Sequence, residues 1–398
     1  MSFSYWEAIQ VYLITYIILA LGYIYGAFKL FDSKAVSGIR RTLYLICVPA
    51  MLFRQLAIQK MELKTWYPIL ISFLTQVTVH ILTGIISFIL PFSNKYLRFL
   101  ESIFATSHIN FMFYGYPIAK LLFGEEYIYV PLTCCAVLFL FTTPFHSALV
   151  YSPKSKNLNN ESASTSSSEE SSEKSSLENE ENEKSEKIQQ IEEEDELEPE
   201  KSQSQASINN QKTEKENSIQ IQKTVKQQKP KLQKSKNQNQ TLCNKVLWSF
   251  LNTLNICTIL GIIWCSTGLK LPILLDQATY YLERCVVATG LFCSGVFMWE
   301  HPFFGCNWTE VSIYFVIHFV AIPLIAALWC WICKVPSKMS QLITLSHATP
   351  LGLTGYVMAI NCGYGMQSAS FTFFYSNLLS FPIFILWTVV FKECKLFN

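Results

Sequence analysis

The sequence predicts an all-α integral membrane fold: ten transmembrane helices in two inverted five-helix repeats, the fourth and ninth helices broken, with a disordered loop joining the repeats. Three observations carry this. The segment from Ser152 to Asn244 holds 14 of the 31 Lys+Arg and 18 of the 29 Asp+Glu, which leaves 28 charged side chains among the other 305 residues. A soluble domain would be about a quarter charged, so the flanks are built for lipid. Each flank supplies five apolar runs of roughly the 20 residues that cross a hydrocarbon core. Glycine and proline then recur at matching places in the fourth and ninth runs.

The first run, Ala8 to Phe28, reaches helix length behind an N-terminus with no basic stretch, which argues for a retained span over a cleaved leader. Spans two and three are Ile39 to Ile58 and Trp66 to Leu90. Span four, Leu97 to Phe123, contains Ser107-His108-Ile109-Asn110 and then Tyr114-Gly115-Tyr116-Pro117, and span five, Tyr127 to Tyr151, carries Pro144. After the polar strap come Lys245 to Cys265, Thr279 to Trp299 and Val311 to Cys333, with Glu283 and Arg284 expected at the head of span seven as interfacial anchors. Span nine, Met339 to Asn361, reads Ser346-His347-Ala348-Thr349-Pro350 and then Thr354-Gly355-Tyr356; span ten, Ser368 to Phe391, carries Pro382. The domains are therefore 1–151, a strap over 152–244, and 245–398. Five crossings per half reverse the second half if the strap ends share one side.

An offset of 240 lays Gly115-Tyr116 on Gly355-Tyr356 and Asn110 on Pro350. Proline removes a backbone donor and blocks the carbonyl one turn earlier, and backbone groups freed in hydrocarbon persist only where protein, water or a ligand satisfies them. Interrupted helices at corresponding places in inverted halves therefore mark a midplane binding site. A kinked but continuous helix is the other reading.

Other classes drop out on composition. A net charge of +2 with no basic face outside the strap excludes nucleic acid. Most of the thirteen cysteines lie in apolar runs and read as small hydrophobes. Cys330 and Cys333 have CxxC spacing without a second pair, and the scattered histidines lack ligand spacing, so neither metal nor cofactor is expected. No GxxxxGK[ST] loop is present, and adjacent Ser-His pairs point about 100° apart on a helix, so neither a pump nor an enzyme is predicted. Basic residues after spans one and three place the N-terminus outside and the strap in the cytosol.

Several stretches resemble the auxin efflux carrier family, the PIN and PIN-like membrane transport proteins. They are Val36 to Arg41 with Val48 to Phe53, Asn110 to Pro117 with Leu122 to Glu125, Gly261 to Trp264, and Ala348 to Leu353. The resemblance covers both halves and omits the strap. It implies an inverted repeat with crossing broken helices, dimerisation, and export of a small organic anion such as an auxin-type carboxylate by an elevator-like motion. Carried over by position, it puts Asn110, Pro117 and Pro350 at the crossover. There, helix-end dipoles and freed amides can hold a carboxylate.

The candidate substrate-binding residues are thus Asn110, Tyr114, Gly115, Pro117, Thr349, Pro350, Gly352 and Gly355. His108 and His347 flank the crossover as candidate proton relays. Arg54, a charge inside a span, either snorkels to the headgroups or faces substrate. The strap is too polar to fold alone, and its serines offer phosphorylation sites to a kinase. Partners are the bilayer, of plasma membrane or endoplasmic reticulum, and the anion. A non-transporting sensor that binds a sterol or metabolite at the crossover and signals through the strap is the competing function.

Overall fold

In the third span, Leu63–Ile89, the large side chains of Ile81, Ile85 and Phe88 are more than half exposed, while Ser72, Thr75, Gln76, Thr83 and Ser87 are buried. In water that distribution would be inside out. In hydrocarbon it is the required one, because apolar groups meet lipid and polar groups must find partners within the bundle. Spans one, six and eight repeat the pattern, with Leu13, Ile17, Ile24, Ile259, Ile263, Leu324 and Leu328 on their outer faces. The protein is an all-α integral membrane protein.

This computed structural model describes residues 5–31, 33–60, 62–89, 94–152, 250–301, 308–394 and 396–397. The predicted strap lies outside the described residues beyond Ser152. Seven helices among those described are long and apolar enough to cross a membrane: Ile9–Ala27, Lys34–Ala57, Thr65–Ile89, Glu125–Val150, Ile273–Glu300, Trp308–Ile332 and Met366–Glu393. They correspond to predicted spans one, two, three, five, seven, eight and ten. Span six is shorter, Thr253–Thr267, opened by the Asn252 side chain accepting from Asn255 N and closed at Gly268, whose φ of 69° suits glycine.

Spans four and nine are each split. Lys95–Thr106 is followed by Phe111–Phe123, and Ser337–His347 by Thr354–Cys362. The helix axis is interrupted at both places, so the kinked continuous reading does not hold.

Proline shapes four further turns in a common way. Pro49, Pro117, Pro144 and Pro323 each follow, by two residues, a widened π-turn: Leu43–Cys47, Phe111–Gly115, Leu138–Thr142 and Ile317–Ala321. A proline ring collides with the carbonyl four residues back. Those carbonyls belong to Leu45, Phe113, Leu140 and Phe319, each inside the widened turn, so the chain absorbs the collision by loosening its helix. Pro117 therefore accounts for a π-turn one step after the fourth-span break. The break itself lies upstream.

Spans one, two, six and seven pack on one another through glycine. A Cβ on Gly295 would lie 2.0 Å from Leu19 O, and one on Gly22 would lie 2.1 Å from Phe292 O. Small residues let backbones approach closely where lipid supplies no hydrophobic drive. Gly295→Ala is expected to cost about 1–3 kcal/mol through overpacking. Lower thermal unfolding of the detergent-solubilised protein would register it, with Gly38→Ala, where a Cβ meets nothing within 4 Å, as the neutral control. The other six spans pack among themselves, span three against four, five and eight, and they carry both breaks.

Candidate functional site

The two unwound stretches, residues 107–110 and 348–353, lie against each other as a short antiparallel pair. Asn110 N donates to Pro350 O at 2.8 Å, Gly352 N donates to His108 O at 2.7 Å, and Ile109 faces Leu351 between them. Pro350 has no N–H to give, so this register uses its carbonyl alone. A Cβ at Gly355 would sit 2.2 Å from Phe104 O, which is why the helix after the second break can pass so near the helix before the first.

Side chains from four elements hold the remaining backbone groups. Gln76 Nε2 donates to Ser107 O at 3.2 Å, Ser376 Oγ accepts from Leu351 N at 3.1 Å, and Asn377 Nδ2 reaches Leu351 O at 3.4 Å. His318, in the π-turn of span eight, sets Nδ1 3.0 Å from Thr106 O and Nε2 2.8 Å from Thr349 O, between the ends of both first half-helices; a neutral ring donates to one of these two carbonyls. Asn110 Oδ1 accepts from Phe113 N at 3.1 Å and caps the second half of span four. The matching helix, Thr354–Cys362, begins after Leu353 with no side-chain cap. Both second half-helices thus point their partly positive N-termini toward the crossing.

The electrostatics are neutral in formal charge. Neither 107–115 nor 348–355 contains Asp, Glu, Lys or Arg. Six buried polar atoms around the crossing have no hydrogen-bond partner among the described residues: Gln76 Oε1, Ser107 Oγ, His108 Nδ1, Thr344 Oγ1, His347 Nε2 and Asn377 Oδ1. Buried polar atoms are normally satisfied, so this concentration is unusual.

Of the sequence candidates, Asn110, Thr349, Pro350 and Gly352 lie in the breaks, with His108 among them. His347 ends the helix before the second break, bonded through Nδ1 to Ile343 O at 2.8 Å, with its ring edge on Phe111. Tyr114 packs on Tyr12, and Gly115 packs on Pro131, both a turn beyond the first break. Pro117 lies further still, seven residues past Asn110, and not in the crossover where the resemblance put it. Gln76, Ser376, Asn377 and His318 were not among the candidates. Polar side chains in the middle of apolar spans carried that signal.

Arg54 is held by two carboxylates of span seven. Its Nε lies 2.7 Å from Asp276 and its Nη1 2.9 Å from Glu283, which also accepts from Gln55 at 2.7 Å and from Tyr116 at 3.0 Å. Glu283 is 3% exposed and is no interfacial anchor, because span seven starts at Ile273, about 15 Å of helix before it. Arg284 stays exposed, its guanidinium over the Tyr280 ring. A second network joins Arg98 to Glu101 and Glu310, with Ser368 donating to Glu101.

The family described as "Membrane transport protein" matches residues 8–388. No curated relative matches the chain. The chain belongs to this family, that of the auxin efflux carriers and PIN-like membrane transport proteins.

Proposed function

We propose that this membrane transport protein is a secondary transporter that moves a small organic anion by alternating access, holding it where the two broken helices cross. The observation that carries the reading is the crossing itself: two half-helix N-termini aimed at one place, uncharged walls, and a cluster of buried polar atoms without partners among the described residues. A carboxylate there would accept from amides and side-chain donors with help from the helix dipoles. It needs no buried Lys or Arg. Asn110, Thr349 and Gly352 are the residues best placed to contact it, with Pro350 and Gly355 shaping the backbone. On this reading, 1–151 and 245–398 are inverted five-helix repeats, and the absence of an ATP-binding loop makes the driving force an ion gradient or the membrane potential.

Reconstitution of the full chain into vesicles, with a panel of radiolabelled carboxylates that includes indole-3-acetate, tests this directly. Saturable uptake of at least one acid, responsive to an imposed potential or pH gradient, is the expected result. Vesicles that accumulate none of the acids above the protein-free control would overturn it.

A further inference from the structure

Three histidines from three separate elements meet end to end behind the fourth-span break. His80 of span three sets Nε2 2.6 Å from His146 Nε2 of span five, and His146 Nδ1 lies 2.9 Å from Nε2 of His108, a residue of the break itself. His108 and His146 are fully buried. His80 is half-buried at the foot of a lateral groove of about 340 Å³ walled by Phe73, Val77, Ile81, Phe141 and Phe145.

The hydrogen bonds assign every tautomer. Gln76 O can only accept, so His80 donates to it from Nδ1 and keeps its lone pair on Nε2. His146 must then donate from Nε2, leaving its Nδ1 to accept from His108 Nε2. The one lone pair left over is pushed to the inner end, on His108 Nδ1, which is buried and has no partner among the described residues. A proton arriving there balances through the chain. His108 passes its Nε2 proton to His146 Nδ1, His146 passes its own Nε2 proton to His80 Nε2, and one positive charge ends on His80 with the two inner tautomers reversed. Aromatic rings line the route, Phe104 with its centroid 5.8 Å from that of His146 and Phe145 5.3 Å from that of His80, both in edge geometry.

The titratable groups on the elements packed around the chain have other partners or none near it. His318 faces the Thr106 and Thr349 carbonyls, the Tyr356 hydroxyl faces His301, Glu101 is held by Arg98 and Ser368, and Cys362 lies further along the Tyr356 helix. Among the described residues none of the three rings makes an ion pair with a carboxylate.

We propose that His108, His146 and His80 form a single one-proton acceptor that serves the crossover, taking up a proton when an organic anion binds there, which turns His108 Nδ1 in the break from an acceptor into a donor and leaves the balancing positive charge two rings behind it on His80. This rests on the crossover being the anion site. Linkage sets the sign: an anion that favours the protonated chain is itself bound more tightly by it, so affinity rises as pH falls through the titration of the chain and is lost as pH rises above it.

The test uses the full chain, labelled with ¹⁵N-histidine, in lipid nanodiscs, titrated from about pH 8, above the unperturbed imidazole value of about 6.5, down to the lowest pH at which the protein stays folded. The three rings are expected to shift together in one step, and saturating indole-3-acetate to move that step to higher pH. Binding of the same acid should strengthen by about tenfold per pH unit at the steepest point, the slope of a one-proton linkage. His146→Gln, which keeps hydrogen-bonding groups between the outer rings but carries no exchangeable imidazole proton, should split the step and flatten the slope; His80→Gln, at the half-buried end, repeats the test with less risk to folding. Rings that titrate independently, or a shared step that bound acid leaves in place, overturn the proposal. Should no acid bind or be transported, the anion reading fails, while the shared step still decides the proton site from the spectra alone.

Discussion

Asn110→Ala is expected to lower carboxylate flux in vesicles at least about tenfold while leaving the protein folded. Its Oδ1 caps the second half of span four, and losing such a cap costs about 0.5–2 kcal/mol of stability, too little to unfold the protein by itself. Its Nδ2 donates to no described residue, and the side chain keeps a small exposure, so the amide is available to a solute at the crossing. Asn110→Ser separates the two roles. Its hydroxyl oxygen caps a helix N-terminus about as well as an amide oxygen, so stability should hold, yet the amide donor is gone, so flux should still be lost. Pro117→Ala is the control, because that proline stands roughly 10 Å further along the helix and should leave flux close to wild type. Normal flux in Asn110→Ala, or an equal loss in Pro117→Ala, would move the binding site away from the crossing.

The match of Asn110 with Pro350 at an offset of 240 turns out to be a contact: Asn110 N donates to Pro350 O, with 109 opposite 351 and 108 opposite 352. Repeats that cross antiparallel bring equivalent positions face to face, so the internal symmetry of the sequence already named the pair that touches. The second break was legible for a local reason, since Pro350 and Gly352 disfavour a helix ladder there, whereas the first, at 107–110, contains neither residue type. Pro117 misled because the same residue type, placed two residues after a π-turn, loosens a helix without ending it. What stayed hidden was long-range. Arg54 finds its carboxylates 222 and 229 residues away, and the histidine chain joins residues 66 and 38 apart, spacings that no periodicity reveals. Glu283 was placed at a helix head because hydropathy dates a span from its apolar run, whereas the helix begins earlier, at Ile273, through a first turn that carries Asp276.

That depth makes Arg54→Met the substitution with the largest expected loss of stability. Glu283 is almost fully buried and takes Arg54, Gln55 and Tyr116 as donors, while Asp276, 30% exposed, retains water as an alternative partner. Removing the arginine strands the Glu283 charge, and breaking a buried pair from one side costs about 3–5 kcal/mol. The midpoint of thermal unfolding in detergent should fall steeply. Arg54→Met combined with Glu283→Gln leaves no stranded charge and keeps an amide oxygen for Gln55 and Tyr116, so the double variant should recover most of the loss. An unchanged midpoint in the single variant would mean that Glu283 is not carrying charge in the folded protein. Tyr116→Phe probes the same cluster from the other side. It removes the hydroxyl that ties the second half of span four to span seven without leaving a charge unpaired. A transporter whose broken helices shift against spans one, two, six and seven would register that tie in its flux more than in its unfolding midpoint. A purely structural tie would do the reverse.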